Sequence, residues 1–319
     1  MQFISDTQYS MTIQFIISSE HLNQRLDNFL VSRLKGIPKS CIYRLIRQGK
    51  IRINRKKKSA RYRAQTHDLI EVPNLRLGEL EKPIPQPSPS LRKLLVESIL
   101  FENKDLLVLN KPHGLAVHGG SGISLGLIES IRQLYPNNLL ELGHRLDRDT
   151  SGCIIITKKP SILKAVHALF REGRIKKTYQ MLVKGHWPSQ IKQIDIPLQK
   201  NQMKSGERMV MADKTGKPSL TYFKVLQYFA NSTLLEASLR TGRTHQIRVH
   251  TQYAKHPIIG DEKYGDKTVN RLLRETGLKR LFLHASKLAF TLPNSSEVFQ
   301  TKAPIPTDLE TILKKLASQ

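Results

Sequence analysis

Cysteine is nearly absent from these 319 residues: Cys41 and Cys153 are too few for a disulfide scaffold and lack the spacing of a metal site. Such scarcity suits a reducing compartment. Long apolar runs are missing as well. No stretch of about 18 apolar residues occurs, which argues against a membrane-spanning helix. No amphipathic segment sets a basic face against a Trp/Phe-rich one, which argues against a membrane-surface helix. The opening residues, MQFISDTQYSMTIQF, have neither the basic start nor the apolar core of a signal peptide, and no lipidation motif is visible. A cytoplasmic protein with no membrane contact is therefore expected. Acidic residues are the scarce charge: 26 Asp and Glu face 52 Lys and Arg, a formal net charge of +26. A compact fold carrying that excess repels itself unless a polyanion or counterions offset it. Nucleic acid is the commonest such polyanion, ahead of an anionic membrane surface.

The length exceeds one typical domain, and an apolar fraction of 39% is enough to build a core. Composition separates a short extension (residues 1–20), a basic block (21–81), a Pro-rich linker (82–90, KPIPQPSPS) and a long mixed region (91–319). Between His21 and Val72 there are 14 Lys and Arg against 3 Asp and Glu, a net +11. Leu22, Leu26, Phe29, Leu30 and Leu34 recur at helical spacing, with Asn23 as the expected N-cap. Gly36 and Pro38 interrupt that helix. A second, capped by Ser40 and ended by Gly49, carries Ile42, Leu45 and Ile46 on its apolar side, with Lys39, Arg44 and Arg47 pointing elsewhere. KIRINRKKK and DLIEV then read as short strands around a basic turn holding Arg55, Lys56, Lys57 and Lys58. Basic charge spread over two helices and a turn, with these seven cations on the second helix and the turn, makes a surface suited to phosphate contacts. The run QRLDNFL…GIPKSCIYRLIRQGKIRIN resembles the S4 RNA-binding domain, which implies binding of structured RNA and says nothing about chemistry.

The long region is rich in strand-like runs: DLLVLN, CIIIT, TYQMLVK, SLTYFKVLQYF, STLLEASLR and KLAFTL. Helical spacing appears at 161–170 and in THQIRVHTQYA. Consecutive strands without regular intervening helices predict an α+β fold: a mixed, mainly antiparallel sheet with flanking helices.

The segment ELGHRLDRDTSGCIIITK concentrates His144, Arg145, Asp147, Arg148 and Asp149 ahead of an apolar strand. Two arginines flank Asp147 in sequence and favour its charged form. Gly152 allows a tight turn into the strand, which would hold the loop rigid. A fixed carboxylate beside guanidiniums suits nucleophilic attack or proton abstraction on an anionic substrate. The plainer alternative is a cluster in which acids merely neutralise surface arginines. A protein-kinase loop is excluded by the intervening Leu146 and the lack of DFG and Gly-rich motifs. Glycoside hydrolysis normally needs carboxylates on both sides of the bond, and Asp149 lies too near Asp147 to serve as the second.

HRLDRDTSG is similar to the catalytic signature of the RluA-type pseudouridine synthases. The resemblance extends through NKPHGLAVHGG, KTYQMLVKG, SGERM with GKPSLTYFKV, RTGRTHQIRVHTQYAKHPIIGDEKYG and RLFLHASKLAF, nearly the whole chain. With the S4-like block, it looks like the branch acting on 23S, large-subunit, ribosomal RNA. The resemblance implies that Asp147 is the catalytic carboxylate and that Arg145 fills the gap left by an extruded uridine. Tyr179 would stack on that base, and Arg243 would pair with the catalytic Asp. It implies no cofactor and no metal, with 23S ribosomal RNA as partner and a monomer as the default state. His245 and His250 lack a third ligand for a metal. Thr244 is the expected N-cap of the following helix. Two rivals remain: a non-catalytic RNA-binding or assembly protein, and a nucleoside-bond hydrolase releasing free uracil.

Overall fold

The computed structural model describes residues 12–34, 37, 39–73, 85–119, 125–202, 208–291 and 298–318. The chain forms two compact units, Met1–Pro85 and Gln86–Gln319.

In the first unit, β1 (Thr12–Ile16) precedes α1 (Leu26–Arg33), α2 (Lys39–Gln48), β2 (Arg52–Ile53) and β3 (Leu69–Pro73). The strands make an antiparallel sheet in the order β1-β3-β2. The stretch expected as an extension thus contributes an edge strand from residue 12 onward. It is anchored by Ile17, which is fully buried in this unit's core with Phe29, Leu30, Ile42 and Ile70. Asn23 is not a cap. It adopts φ 62° and donates its N–H to Ala64 O, so α1 starts later, behind Arg25. α2 begins at Lys39, which places Ser40 inside the helix. Residues 35, 36 and 38, where an interruption is expected, lie outside the described residues. Gly49 does end α2, at φ 72°.

Asn54 and Arg55 both take positive φ, while Ile53 and Lys56 exchange two 2.9 Å backbone hydrogen bonds. That is the geometry of a two-residue hairpin turn. Two of the three acids between His21 and Val72 are turned inward. Asp27 accepts from Arg25, Tyr43 Oη and Asn28 N, and Asp68 accepts from Asn54 Nδ2, Tyr62 Oη and Gln65 N. Arg25 in particular holds the Asp27 carboxyl below the usual carboxylate range. Using acids inside and cations outside leaves the unit's surface strongly positive.

The second unit opens on α3 (Pro89–Glu97), whose N-cap Ser88 accepts from Leu91 N. Proline at the first helical position is already set at a helical φ, so the extended segment expected to reach residue 90 gives way to helix at residue 89. Next come β4 (Ile99–Glu102), β5 (Leu106–Lys111), α4 (Leu127–Leu134), β6 (Glu141–Leu142), β7 (Ser151–Thr157) and α5 (Pro160–Arg171). These are followed by β8 (Lys176–Lys184), β9 (Gln193–Asp195), β10 (Leu198–Gln202), β11 (Arg208–Ala212), β12 (Leu220–Phe229) and β13 (Ser232–Leu239). The unit closes with α6 (Gln246–Tyr253), α7 (Lys267–Glu275), β14 (Leu283–Thr291), β15 (Val298–Lys302) and α8 (Thr307–Ala317).

The main sheet runs β4-β5-β7-β14-β8-β13-β12-β9, with β15 on β14 and β6 on β7. Among the described pairings of this sheet only β7–β14 is parallel, so the sheet is mixed and mainly antiparallel. β7 is buried along its whole length, as expected of a strand covered on both faces. One face contributes Leu107, Leu109, Ile154, Ile156, Met181 and Leu235 to a core shared with Leu127, Ile128 and Ile131 of α4 and Ile247 of α6. The other packs Val108, Cys153 and Ile155 against Val166 and Leu169 of α5, and Leu182 and Leu234 against Leu309 and Ile312 of α8. Cys153 is therefore an apolar strand residue, and burial pushes its thiol up to about 11.

The parallel pair is the seam between the two halves of the sheet, and Gly152 makes it possible. At φ 113° the residue pairs with Ala285, and a Cβ there would collide with the Ala285 backbone. Gly152→Ala is expected to destabilise this unit by about 3 kcal/mol or more, since it adds both strain and a backbone clash. Denaturant unfolding of the two proteins checks it, and an unchanged midpoint would refute the close-packing argument.

Candidate active site

Residues 143–150 link β6 to β7 at the centre of the sheet, and neighbouring side chains there diverge. Leu146 is buried in the main core, Arg145 is exposed, and the Asp147 side chain is 19% exposed between them. Several buried groups hold the loop. Lys111, fully buried at the end of β5, donates from Nζ to the carbonyls of Pro112, Leu115 and Arg148 at 2.7–3.0 Å. Three acceptors match the three donors of an ammonium group. Burial pulls Lys111 down to about 7, while Asp149 and Asp147 oppose that shift. Arg280 Nη2 donates to Ser151 Oγ at 2.6 Å, and Ser151 Oγ lies 3.0 Å from His284 Nδ1. His144 Nε2 accepts from Ile155 N at 3.1 Å.

Burial depresses His144 to about 3 and His284 to about 4. A histidine held neutral in the folded state protonates freely when unfolded. Its contribution is complete above the ordinary value of about 6.5 and is lost as pH falls from there towards the folded value. Each is expected to lower stability by about 2 kcal/mol between pH 7 and pH 5. Unfolding midpoints at the two pH values measure this, and His284→Asn should shrink the decline. A flat profile over that range would contradict the assignment.

Asp147 Oδ2 lies 3.4 Å from Arg248 Nη1 and 3.7 Å from His245 Nε2. Arg248 is itself anchored, donating from Nε and Nη2 to both oxygens of Asp261 at 2.7 and 2.8 Å, and it stacks 4.9 Å from the centre of the Tyr264 ring. Asp261 is completely buried and also accepts from the backbone N–H groups of Lys263 and Tyr264. Tyr264 Oη accepts from Val210 N and lies 2.8 Å from His245 Nδ1. With its acceptor role taken by Val210, the phenol donates to Nδ1, which leaves the imidazole proton on Nε2, facing Asp147. Burial holds His245 below its ordinary range, with Asp147 opposing. His245 caps α6 at φ 54°, a left-handed conformation that non-glycine residues rarely adopt and that collects at functional sites. It displaces Thr244 from the expected capping role.

Arg243 does not pair with Asp147. Its Nε donates to Pro218 O at 3.1 Å and its backbone N–H to Gln246 Oε1; the counter-charge comes instead from Arg248, one and a half turns further along. Nor do the sequence neighbours of Asp147 serve, since Arg148 turns outward to Asp149 at 3.2 Å. Arg145, Asp147, Tyr179 and Arg243 nevertheless line one cavity of about 660 Å³ together with His245 and Arg248. Tyr179, on β8 beside Ala237 of β13, is 6% exposed, and burial raises its phenol above the ordinary range, so it is a neutral wall of the cavity. Arg145 and Asp147 also border a second cavity of about 620 Å³.

His250 faces Ser219 Oγ and Ile196 O, away from the partners of His245. Among the described residues no group of three His, Cys, Asp or Glu is placed to hold a metal ion, and no helix is long and apolar enough to cross a membrane. In the first unit, Arg44, Arg47, Arg55, Lys56 and Lys57 are exposed, and Lys58 sits 5.0 Å from the centre of the Tyr62 ring. Lys39 opens α2, and its side chain lies outside the described residues.

Sequence reasoning missed Lys111, Arg248, Asp261 and Tyr264 as parts of the site, and weighed His245 as a metal ligand only to set that reading aside. All lie within the segments that carry the family resemblance, but nothing in their spacing joins them to residue 147.

Residues 105–253 match the family described as RNA pseudouridylate synthase, and residues 24–70 match the S4 domain. The chain is 49% identical over 305 residues to the ribosomal large subunit pseudouridine synthase C of Escherichia coli (strain K12), covering 94% of this chain and 95% of that one. It is 47% identical over 315 residues to the protein of the same name from Haemophilus ducreyi, covering 97% and 98%. Among solved structures, human RNA pseudouridylate synthase domain containing 4 superposes with a TM-score of 0.59 at 27% identity, over 72% of this chain and 96% of that one.

Proposed function

The chain belongs to the RNA pseudouridylate synthase family, and from that premise we propose that it isomerises uridines of 23S ribosomal RNA, with Asp147 as its catalytic carboxylate. The observation that carries the reading is the placement of Asp147: a partly buried carboxylate, held by a rigid loop against Arg248 and His245, in a cavity walled by Tyr179. The relatives that match nearly end to end are named for the large ribosomal subunit, which supplies the RNA.

The reaction breaks the C1′–N1 bond, turns the freed uracil, and joins C5 to C1′; the C5 proton leaves and N1 acquires one. No atom is gained or lost overall, so the chain needs no external group or redox partner. Inside a helix the target base is out of reach, and extruding it costs about a few kcal/mol. Arg145, exposed at the rim of both cavities, is placed to fill the vacated space. Tyr179 forms the platform for the flipped base, where stacking contributes roughly 1–3 kcal/mol. Asp147 then assists glycosidic cleavage, and Arg248 and His245 Nε2–H hold its carboxylate in position. In the first unit Lys39, Arg44, Arg47 and Arg55–Lys58 bind phosphates of the same RNA without reading sequence.

Mapping pseudouridines in ribosomal RNA from a strain lacking the gene tests this reading. Specific sites should lose the modification and regain it with the wild-type gene but not with Asp147→Asn. A complete pseudouridine map in the deletion strain would overturn the assignment, and free uracil among the products would point to hydrolysis instead.

A further inference from the structure

We propose that Lys177 forms a phosphodiester-binding subsite in the wall of the catalytic cavity, receiving the backbone of the RNA strand at the extruded nucleotide. The inference rests on the uridine-isomerase reading and adds to it a residue and a ligand group.

Six cations line the larger cavity: Arg145, Arg171, Lys177, Arg240, Arg243 and Arg248. Among the described residues the only acid lining it is Asp147. Arg248 is neutralised by Asp261 and Asp147, whereas none of the other five has a carboxylate within ion-pairing distance among the described residues. Four of those five are arginines that reach solvent and are hydrated there. Lys177 differs. It is partly buried on β8, its Nζ lies 5.0 Å from the centre of the Phe170 ring, and it reaches under the backbone at Gly242. A Cβ at Gly242 would stand 3.2 Å from that nitrogen. Burial pulls Lys177 down to about 8, with no anion opposing the shift.

A desolvated ammonium without a counterion is unfavourable unless a ligand supplies the charge. The position of the group indicates which anion that is. Lys177 and Tyr179 are two residues apart on β8 and so share a face, roughly 6–7 Å from one another along the strand. The Asp147 side of Tyr179 is where the reacting sugar and base belong. Lys177 lines the same cavity, as do Arg171 and Arg240, whose guanidinium packs on Gly173. Cations without carboxylate partners in the cavity that holds the base platform suit a backbone phosphate and not the neutral uracil ring.

The test uses the full-length protein and a ribosomal RNA fragment containing a target uridine, unmodified or carrying one uncharged methylphosphonate linkage beside that uridine. Lys177→Met should weaken binding of the unmodified RNA by about tenfold or more, the worth of one charge-assisted contact. It should also lower the slope of log K against log salt by about 0.7, and remove the penalty that wild type shows for one of the methylphosphonates. Gly242→Ala, which keeps the charge but crowds the ammonium, should weaken binding in the same direction and carries the test should Lys177→Met fail to fold. An unchanged salt slope with the methylphosphonate penalty intact would overturn the subsite. So would a loss confined to turnover, which would place Lys177 on the base. Pseudouridine formation by wild type is read in the same samples. Its absence would refute the isomerase reading, whereas its presence beside an unaltered slope would refute the phosphate subsite alone.

Discussion

Asp147→Asn should reduce pseudouridine formation on ribosomal RNA by at least about 10⁴-fold, the scale on which loss of the central reacting group acts in other enzymes. RNA affinity should change by no more than a few-fold. The amide keeps the shape of the carboxylate and stays beside Arg248, whose bidentate partner is Asp261 and not Asp147. The fold therefore does not depend on the Asp147 charge. Single-turnover rates and filter binding on the same RNA separate the two quantities. A variant that retained its rate would remove Asp147 from the chemistry. A variant that lost binding in proportion would favour the rival view of an RNA-binding protein whose acids only balance surface arginines.

Arg248→Met should be the more damaging substitution for the protein as a whole. Asp261 is completely buried and relies on this guanidinium for its charge-bearing partner. Removing one member of a buried pair typically costs about 3–5 kcal/mol, because the other is left uncompensated. Catalysis should fall as well, by about 10²–10³-fold, since the cation that holds the Asp147 carboxylate is gone. Asp261→Asn in the Arg248→Met background should recover much of the stability while leaving the rate low. That split distinguishes a positioning role from a purely structural one. Arg243→Met, by contrast, should leave stability intact and only weaken RNA binding with a shallower salt dependence. If Arg243→Met and not Arg248→Met abolished turnover, the pairing seen in the structure would be irrelevant to the reaction.

Arg243 and Arg248 show why part of the site was hidden. Both lie in TGRTHQIR, and both are candidates for a partner to a distant carboxylate. Which one reaches Asp147 depends on the left-handed turn at His245 and on the start of α6 behind it. Neither follows from residue spacing, because a polar Thr at 244 is the better cap by propensity. The arginines adjacent to Asp147 misled for a similar reason. Successive side chains in an extended loop point apart, so Arg148 turns outward to Asp149 while Leu146 is buried. Lys111 illustrates another limit. A lysine in NKPHG reads as surface charge, and only the convergence of three carbonyls around its ammonium reveals an internal staple.

What the sequence determined by itself was whatever is local or compositional. The charge excess pointed to a polyanion, the period-two runs to strands, and their succession to a mainly antiparallel α+β sheet, while HRLDRDTSG singled out Asp147 as the residue proposed to react. The tertiary structure decided what couples to that residue. It set β7 beside β14 at a glycine that no other residue can replace, and it brought Arg248 to within 3.4 Å of a carboxylate 101 residues away. Such contacts depend on which strands become neighbours, and that is settled by the burial of the whole sheet and not by any segment's own preferences.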